Sequence, residues 1–197
     1  MHILYITQHF PPETGAAQGR AYEMAKNLVK LGNEVTIVTG MPNYPEGEIY
    51  KEYKGKIFDE EKIDGINVIR TFLIPDNKNN TIIRILNYIS FLLSSIIGGL
   101  FVKDVDIVYA TSPQLFVGLS GYILSLFKRA KFVLEIRDLW VDFAVHLDQL
   151  QNKVLIKIAR GIENFLYKKS NKLIVVTEGF KEKIASDDDL NLSLIHI

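Results

Sequence analysis

Short apolar, β-branched runs alternate along the chain with longer segments in which apolar residues recur every three or four positions. The short runs are typical of strands buried on both faces, and the longer segments of amphipathic helices. Their alternation predicts βα units and therefore an α/β fold: a doubly wound, mainly parallel, Rossmann-like sheet. The six predicted strands are His2–Thr7, Glu34–Thr39, Ile66–Leu73, Asp106–Thr111, Lys131–Ile136 and Lys172–Thr177.

Several predicted helices are marked by residues that favour helix ends. Gly32 follows the first helix where a left-handed C-cap residue is needed. Ser112 and Pro113 stand after the fourth strand, where an N-cap and a first helical residue belong. A further helix is predicted over Lys153–Lys169. The apolar face of the first helix consists of Ala21, Met24, Ala25, Leu28 and Leu31.

One predicted helix is unusually apolar, because the 18 residues Ile85–Val102 carry no charge and reach the minimum length of a membrane span. It can span a bilayer, serve as a buried crossover, or be a crossover whose excess apolar surface enters a bilayer interface. A span would split the sheet between the third and fourth strands, so peripheral attachment is the prediction. The helix is expected to lie on the sheet by its apolar face or by a narrow small or polar stripe: Arg84, Asn87, Ser90 or Phe91, Ser94 and Gly98.

Composition narrows the class of protein. The chain has 197 residues, 48% of them hydrophobic, and 23 basic residues balance 23 acidic ones, so we expect one folded domain and no nucleic-acid partner. It contains no cysteine, and its first residues lack the features of a secretory signal. The expected location is therefore the cytoplasm. Basic residues that can attract the apolar helix to anionic lipid are Arg84, Lys103, Lys128, Arg129 and Lys131.

Ligands of doubly wound sheets bind beyond the carboxyl ends of the strands. At this edge the loop His9–Ala17 enters a helix through small residues, so its backbone amides can hold an anion such as a diphosphate. Gly15 fits a simple tight turn equally well. The loop lacks a G-x-G-x-x-G pattern, and Thr39-Gly40-Met41-Pro42 stands where a dinucleotide-binding protein carries an acidic residue. A nicotinamide-dependent dehydrogenase is therefore disfavoured.

Two charged positions at the same edge have both a functional and a structural interpretation. Arg137 and Asp138 follow the fifth strand, where an anionic, hydroxyl-rich substrate would lie, but they also suit a surface ion pair that caps the next helix. Arg20, one turn into the first helix, can contact a phosphate or simply be solvated.

No metal site is predicted. Asp104 and Asp106 resemble a metal-binding carboxylate pair, but they open the fourth strand and so lie at the opposite edge of the sheet. The acidic run Asp187–Asp189 has no further ligands at suitable spacing, and the four histidines show no metal-ligand spacing. Only His9 lies at the site edge, where packing or a loop hydrogen bond is its expected role.

Five segments, in this order and spacing, resemble the amino-terminal domain of family 4 glycosyltransferases, especially bacterial members that build O-antigen, capsule and exopolysaccharide. They are PPETGAAQGRAYEMAKNLVKLGNEVTIVTG, MPNYPEGEIYKEYKG, ATSPQLFVGLSGY, EIRDLW and VVTEGFKE. The resemblance covers residues 1–185 and implies one half of a GT-B fold. It also implies a retaining enzyme that needs no metal, with the acceptor held by this domain and the nucleotide sugar by a carboxy-terminal one.

The resemblance also implies roles for individual residues. Gly15, Ala16 and Arg20 would lie at the donor diphosphate. Arg137 and Asp138 would face the reacting sugars as the catalytic pair. The acceptor would be bordered by Asn43, Tyr44 and Glu178.

Three departures from the family pattern stand out. Asn33 replaces the usual histidine before the second strand, and Val141-Asp142-Phe143 replaces a proline and polar pair after EIRDLW. The tail 186–197 resembles nothing expected there, and the carboxy-terminal donor-binding domain is absent, so a truncated and inactive piece of the enzyme is expected. Alternatives are a binding module for a polyisoprenoid-diphosphate sugar or a partner chain, and an NAD-type epimerase.

Overall fold

The computed structural model describes residues 1–76, 81–112, 115–146, 151–188 and 195–196. Within them, eight strands form one sheet in the order β3-β4-β2-β1-β5-β6-β7-β8, and every neighbouring pair except β3 and β4 is parallel. The strands are β1 (His2–Ile6), β2 (Glu34–Gly40), β3 (Phe58–Ile63), β4 (Ile66–Thr71), β5 (Ile107–Thr111), β6 (Lys131–Ile136), β7 (Lys172–Val175) and β8 (Ile195–His196). The α/β, doubly wound fold is confirmed.

Helices cover both faces of this sheet. They are α1 (Ala16–Lys30), α2 (Thr81–Leu100), α3 (Leu115–Lys128), α4 (Trp140–His146), α5 (Lys153–Lys169) and α6 (Glu178–Asp188). A short 3-10 helix spans Lys51–Tyr53. Strand residues alternate between two cores: Leu4 and Ile6 pack with the α2, α3 and α5 layer, whereas Ile3 and Tyr5 pack with α1.

The predicted C-cap at Gly32 is confirmed, whereas Ser112, predicted as the N-cap of α3, lies three residues before the first residue of that helix, Leu115. Gly32 has a φ of 81°, and its amide donates to the Val29 carbonyl while the Asn33 amide donates to the Leu28 carbonyl, which is the Schellman arrangement. The Asn33 side chain also donates to the Leu28 carbonyl at 3.0 Å, so its replacement of histidine preserves the turn. Pro113 lies outside the described residues, and the Ser112 hydroxyl accepts from the Arg137 amide.

Two strands were missed by the six-strand prediction. β3 is an antiparallel edge strand whose residues alternate between exposed and half-buried positions, so it lacks a continuous apolar run. Its hairpin with β4 turns through Asp64 and Gly65, both with positive φ, and this Asp-Gly pair between two isoleucines was the overlooked signal. β8 has only two residues, too few for a pattern.

The apolar helix α2 packs on the sheet by its small stripe. A Cβ atom at Gly98 would lie 2.6 Å from Thr71 Cγ2, and one at Gly99 2.5 Å from Leu124 Cδ1. Ser95 is buried with its hydroxyl 2.7 Å from that of Ser120 on α3. The opposite face of α2 is exposed, and its large apolar residues are Ile82, Ile85, Leu86, Ile89, Leu93, Ile97 and Leu100.

By length and composition alone, α2 is able to cross a membrane. The sheet argues against a span, because β4 before α2 and β5 after it belong to the same sheet. The helix begins at Thr81, four residues before the predicted start at Ile85. It ends at Leu100, two residues before the predicted end at Val102.

Candidate functional site

Every residue predicted for the site follows the carboxyl end of a parallel strand. Gly15 and Ala16 end the loop after β1, and Asn43 and Tyr44 lie in the loop after β2. Arg137 and Asp138 follow β6, and Glu178 begins α6 after β7. Since these strands are parallel, the loops emerge at one edge of the sheet, and the structure brings several of them into contact.

The loops after β1 and β2 are joined by a buried carboxylate, Glu13. Its Oε1 accepts from the backbone amides of Asn43 at 2.7 Å and Tyr44 at 2.9 Å. Its Oε2 lies 2.9 Å from His9 Nδ1, so His9 makes the loop hydrogen bond expected of it. The Asn43 side-chain amide also donates to the Met41 carbonyl. Asn43 is buried, whereas the neighbouring Tyr44 is exposed. Glu13 was not predicted as a site residue, because a lone acid in a loop gives no sequence signal of burial.

The amino terminus of α1 lies beside this junction. Gly15 is its N-cap and provides no side-chain cap. A Cβ atom at Gly15 would meet the end of the Gln18 side chain at 2.6 Å and would be in ordinary contact with Tyr44 Cε1 at 3.5 Å, so Gly15 lies close to the Tyr44 ring. The amides of the first turn, starting at Ala16, therefore have no side-chain acceptor among the described residues and can receive an anion.

A second buried carboxylate, Glu135, is the second-last residue of β6. It accepts from Arg20 Nε at 3.0 Å and Nη2 at 2.5 Å, and from the Thr111 hydroxyl at 2.7 Å. The hydrogen bond to Glu135 raises the pKa of Arg20 above its usual value. Burial first, and then the Glu135 charge, raise the pKa of Tyr5 and Tyr109, so both phenols stay protonated at neutral pH.

Glu135 lies in the EIRDLW segment but was not predicted as a site residue. The sequence signal for it is an acid that follows the apolar run Phe132–Leu134 within the strand KFVLEI. Arg20 is 43% exposed, so one part of its guanidinium is held by Glu135 while another part faces solvent.

Arg137 and Asp138 differ in the contacts that they make within the domain. The Arg137 amide donates to the Ser112 hydroxyl at 2.8 Å, which ties the turn after β6 to the end of β5. Asp138 is exposed, and its carboxylate has no hydrogen bond or ion pair within the described part of the chain. It is therefore free to meet a ligand.

The unusual Val141-Asp142-Phe143 segment forms the start of α4. Asp142 contacts Arg160 of α5 at 2.7 Å and Lys183 of α6 at 2.5 Å. Burial opposes ionisation of Asp142, but these two cations outweigh it and lower its pKa. The departure from the family pattern thus fixes α4 between two other helices.

The remaining candidates lie apart from this junction or make little contact. Glu178 is exposed in the first turn of α6, and its nearest cation is Lys181 at 3.8 Å. Asp106 Oδ2 accepts from the His2 amide at 2.8 Å, at the opposite edge of the sheet, as predicted. Within the described ranges, no group of three or more His, Cys, Asp or Glu side chains is arranged to hold a metal ion.

Similarity to known proteins identifies the class. The solved structure of sucrose-phosphate synthase from Thermosynechococcus elongatus superposes with a TM-score of 0.56 and 14% identity, covering 94% of this chain and 44% of that one. The chain therefore has the fold of one Rossmann-like half of a GT-B glycosyltransferase.

The chain belongs to Glycosyltransferase Family 4, whose family model matches residues 17–197. It is also 27% identical over 144 residues to the putative colanic acid biosynthesis glycosyl transferase WcaI of Escherichia coli (strain K12). That match covers 72% of this chain and 35% of the relative, so the chain spans about a third of the curated relative's length.

Proposed function

We propose that this chain is the acceptor-side domain of a retaining glycosyltransferase. The enzyme would move a sugar from a nucleotide-diphosphate sugar to a lipid-linked or glycan acceptor in cell-surface polysaccharide biosynthesis, such as that of O-antigen or capsule. The observation that carries this proposal is the contact between the amino terminus of α1 and the loop after β2. Gly15, at a helix end open to an anion, lies against Tyr44, on a loop held by the buried Glu13.

This arrangement suits the chemistry of glycosyl transfer. In an oxocarbenium-like transition state the leaving diphosphate gains negative charge, while the acceptor hydroxyl loses a proton. The amides from Ala16 onward and the exposed part of Arg20 would stabilise the diphosphate. Arg137 would add positive charge, and the unpartnered Asp138 would orient the hydroxyl. Asn43, Tyr44 and Glu178 would border the acceptor, and no cofactor or metal is required by this set.

We also propose that the protein is cytoplasmic and attaches peripherally to the inner face of the cell membrane. The support is the exposed apolar face of α2, because such a face gains free energy when it leaves water for an interface. A nucleotide sugar and a lipid-linked acceptor would then be brought together at this surface.

The test is a sugar-transfer assay on two forms of the protein. The chain alone should transfer no sugar, because the donor-side groups would come from a second half-site. In a version extended by a nucleotide-sugar-binding half, Asp138→Asn should lower kcat by about 100-fold, the usual loss for a general acid–base group, with the unfolding midpoint unchanged.

Asp104→Asn is the matched control, because it makes the same exchange at an exposed position beyond the opposite edge of the sheet. Wild-type turnover in Asp138→Asn would refute its catalytic role. Transfer by the chain alone would show that no second half-site is needed. Binding of a lipid-linked sugar without any transfer by the extended version would favour a binding module.

A further inference from the structure

An apolar groove of about 740 Å³ lies between α2 and the β3–β4 hairpin. Large apolar side chains form most of its wall: Ile57, Phe58, Phe72, Leu93, Ile97 and Phe101. Its volume is in the range of pockets that hold small molecules, and it forms a recess within the exposed apolar surface of α2. The groove is separate from the junction of Glu13, Gly15 and Tyr44.

The hydroxyl groups in the groove wall already have partners. Ser94 donates to the Phe72 carbonyl at 2.5 Å and to the Thr71 hydroxyl at 3.1 Å. Ser90 accepts from the Ile74 amide at 2.9 Å and donates to the Asn87 carbonyl at 2.8 Å. A peptide in this groove would leave its own backbone groups unpaired against carbon, at a cost of about 1–3 kcal/mol for each group. A hydrocarbon chain carries no such cost.

The groove continues toward the loop after β2. A second cavity, of about 210 Å³, shares Ile57 and Phe72 with the groove and is also lined by Met41, Ile49 and Tyr53. Met41 and Ile49 belong to the same loop as Asn43 and Tyr44. The two cavities therefore adjoin at Ile57 and Phe72, and together, as the track, they extend from the exposed face of α2 toward the loop after β2.

The charged residues along the track indicate which way a bound amphipathic lipid would point. Among the described residues, Glu60 is the acidic residue that lines the groove and Lys56 is the basic residue that lines the second cavity. Lys56 also contacts Asp59 at 3.0 Å but remains 43% exposed. A phosphate would be repelled by Glu60 and attracted by Lys56, so an amphipathic lipid would place its phosphate toward the loop after β2.

We propose that this track binds the hydrocarbon chain of a lipid-linked acceptor, with the tail between α2 and β3–β4 and the phosphate at the Lys56 end. The identity of the lipid rests on the proposed function. The binding of a hydrocarbon chain is a separate property and can be measured on the chain alone.

The experiment uses photo-crosslinking of the 197-residue chain with diazirine-labelled geranylgeranyl phosphate, followed by mapping of the labelled peptides. Labelling is expected on the segment around Ile57 and Phe58 and on α2 from Leu93 onward. Leu93→Trp and Ile97→Trp, which fill the groove, should each reduce labelling about tenfold, a loss of about 1.4 kcal/mol in binding.

Ile82→Trp is the matched control, because Ile82 is an exposed residue of the same helix that does not line the groove. It should leave labelling unchanged, and all three variants should still sediment with anionic vesicles, since tryptophan keeps the surface apolar. Labelling spread evenly along α2 and equal in all variants would overturn the proposal, as would capture of an amphipathic peptide in preference to the lipid. Groove labelling together with full turnover of Asp138→Asn would uphold the track and refute the catalytic proposal.

Discussion

Glu13 sets the relation between two loops that carry the proposed site. Its carboxylate is almost fully buried and accepts hydrogen bonds from two backbone amides of one loop and a histidine of the other. A carboxylate without partners at this depth would be costly, so the three donors both stabilise it and depend on it. The shape of the site thus depends on a residue that need not touch substrate.

Glu13→Gln tests this dependence. Glutamine carries no charge and accepts at only one end, so it replaces the charge-assisted hydrogen bonds of Glu13 with weaker ones and requires His9 Nδ1 to accept, and we expect the free energy of unfolding to fall by about 1–3 kcal/mol. Exchange of the Asn43 and Tyr44 amide hydrogens should also accelerate. The measurements are urea denaturation and hydrogen exchange.

Glu46→Gln is the control, because Glu46 is exposed on the same loop. It should change stability by less than about 0.5 kcal/mol. Equal stability of the two variants would contradict the role assigned to Glu13.

Residue-level features of the site were unequally predictable. The position of Gly15, Asn43 and Asp138 at one edge followed from strand order, since strand ends can be read from apolar runs. The Arg20–Glu135 pair could not be foreseen, because it joins residues 115 positions apart and depends on how α1 is placed relative to the end of β6. The sequence allowed two interpretations of Arg20, a contact with phosphate or a solvated side chain. The structure adds a third, the ion pair with Glu135.

At the scale of elements, α2 reverses the usual arrangement of an amphipathic helix. Apart from the buried Phe91, its small residues face the core and its large apolar residues face outward, so close packing requires Gly98 to remain without a side chain. The sequence indicated this stripe but left open which face would pack, because both the stripe and the apolar face suit a sheet. The close contact between Gly98 and Thr71 shows that the stripe is the face that packs.

Two glycine-to-alanine changes test the packing of α2. In Gly98→Ala the new Cβ would meet Thr71, so we expect a loss of about 1–3 kcal/mol that helix propensity offsets by at most about 1 kcal/mol. Gly161→Ala in α5 has no atom within 4 Å of the new Cβ and should gain about 0.5–1 kcal/mol. Urea denaturation of both variants measures the two signs, and a gain in both would show that α2 is loosely packed.

At the scale of the whole molecule, one face combines exposed apolar residues of α2 with cations near its end. Of the five cations considered for lipid attraction, two are already engaged. Arg84 pairs with Asp76, and Lys128 donates to the Leu100 and Val102 carbonyls. Burial also lowers the pKa of Lys128. Lys103, Arg129 and Lys131 remain exposed.

The chain is expected to sediment with anionic vesicles, to be partly released by high salt, and to be extracted fully by detergent. Replacing Ile85, Leu86 and Ile89 together by glutamine should reduce the bound fraction at least about fivefold, because each exposed residue loses roughly 1 kcal/mol of apolar transfer free energy. Phe91 is a poor target for such a replacement, because it is fully buried.

The matched control replaces Val154, Leu155 and Ile158, which are equally apolar and exposed on α5, and should retain binding. If the folded, unmodified chain stays in the supernatant at low salt, the membrane proposal is wrong.

The strand order also bears on how the protein is made. Residues up to Thr71 supply β1, β2, β3 and β4, which form one side of the sheet, with β1 as its last strand. Each later strand then adds to the edge left by the one before it, so a chain emerging from the ribosome never has to open a sheet already formed. The other edge of β1, however, stays unpaired until Ile107–Thr111 has been synthesised. At usual rates of about 5–20 residues per second, the backbone N–H and C=O groups of this edge stay unpaired for several seconds, so we expect chaperones to bind the nascent chain during that interval.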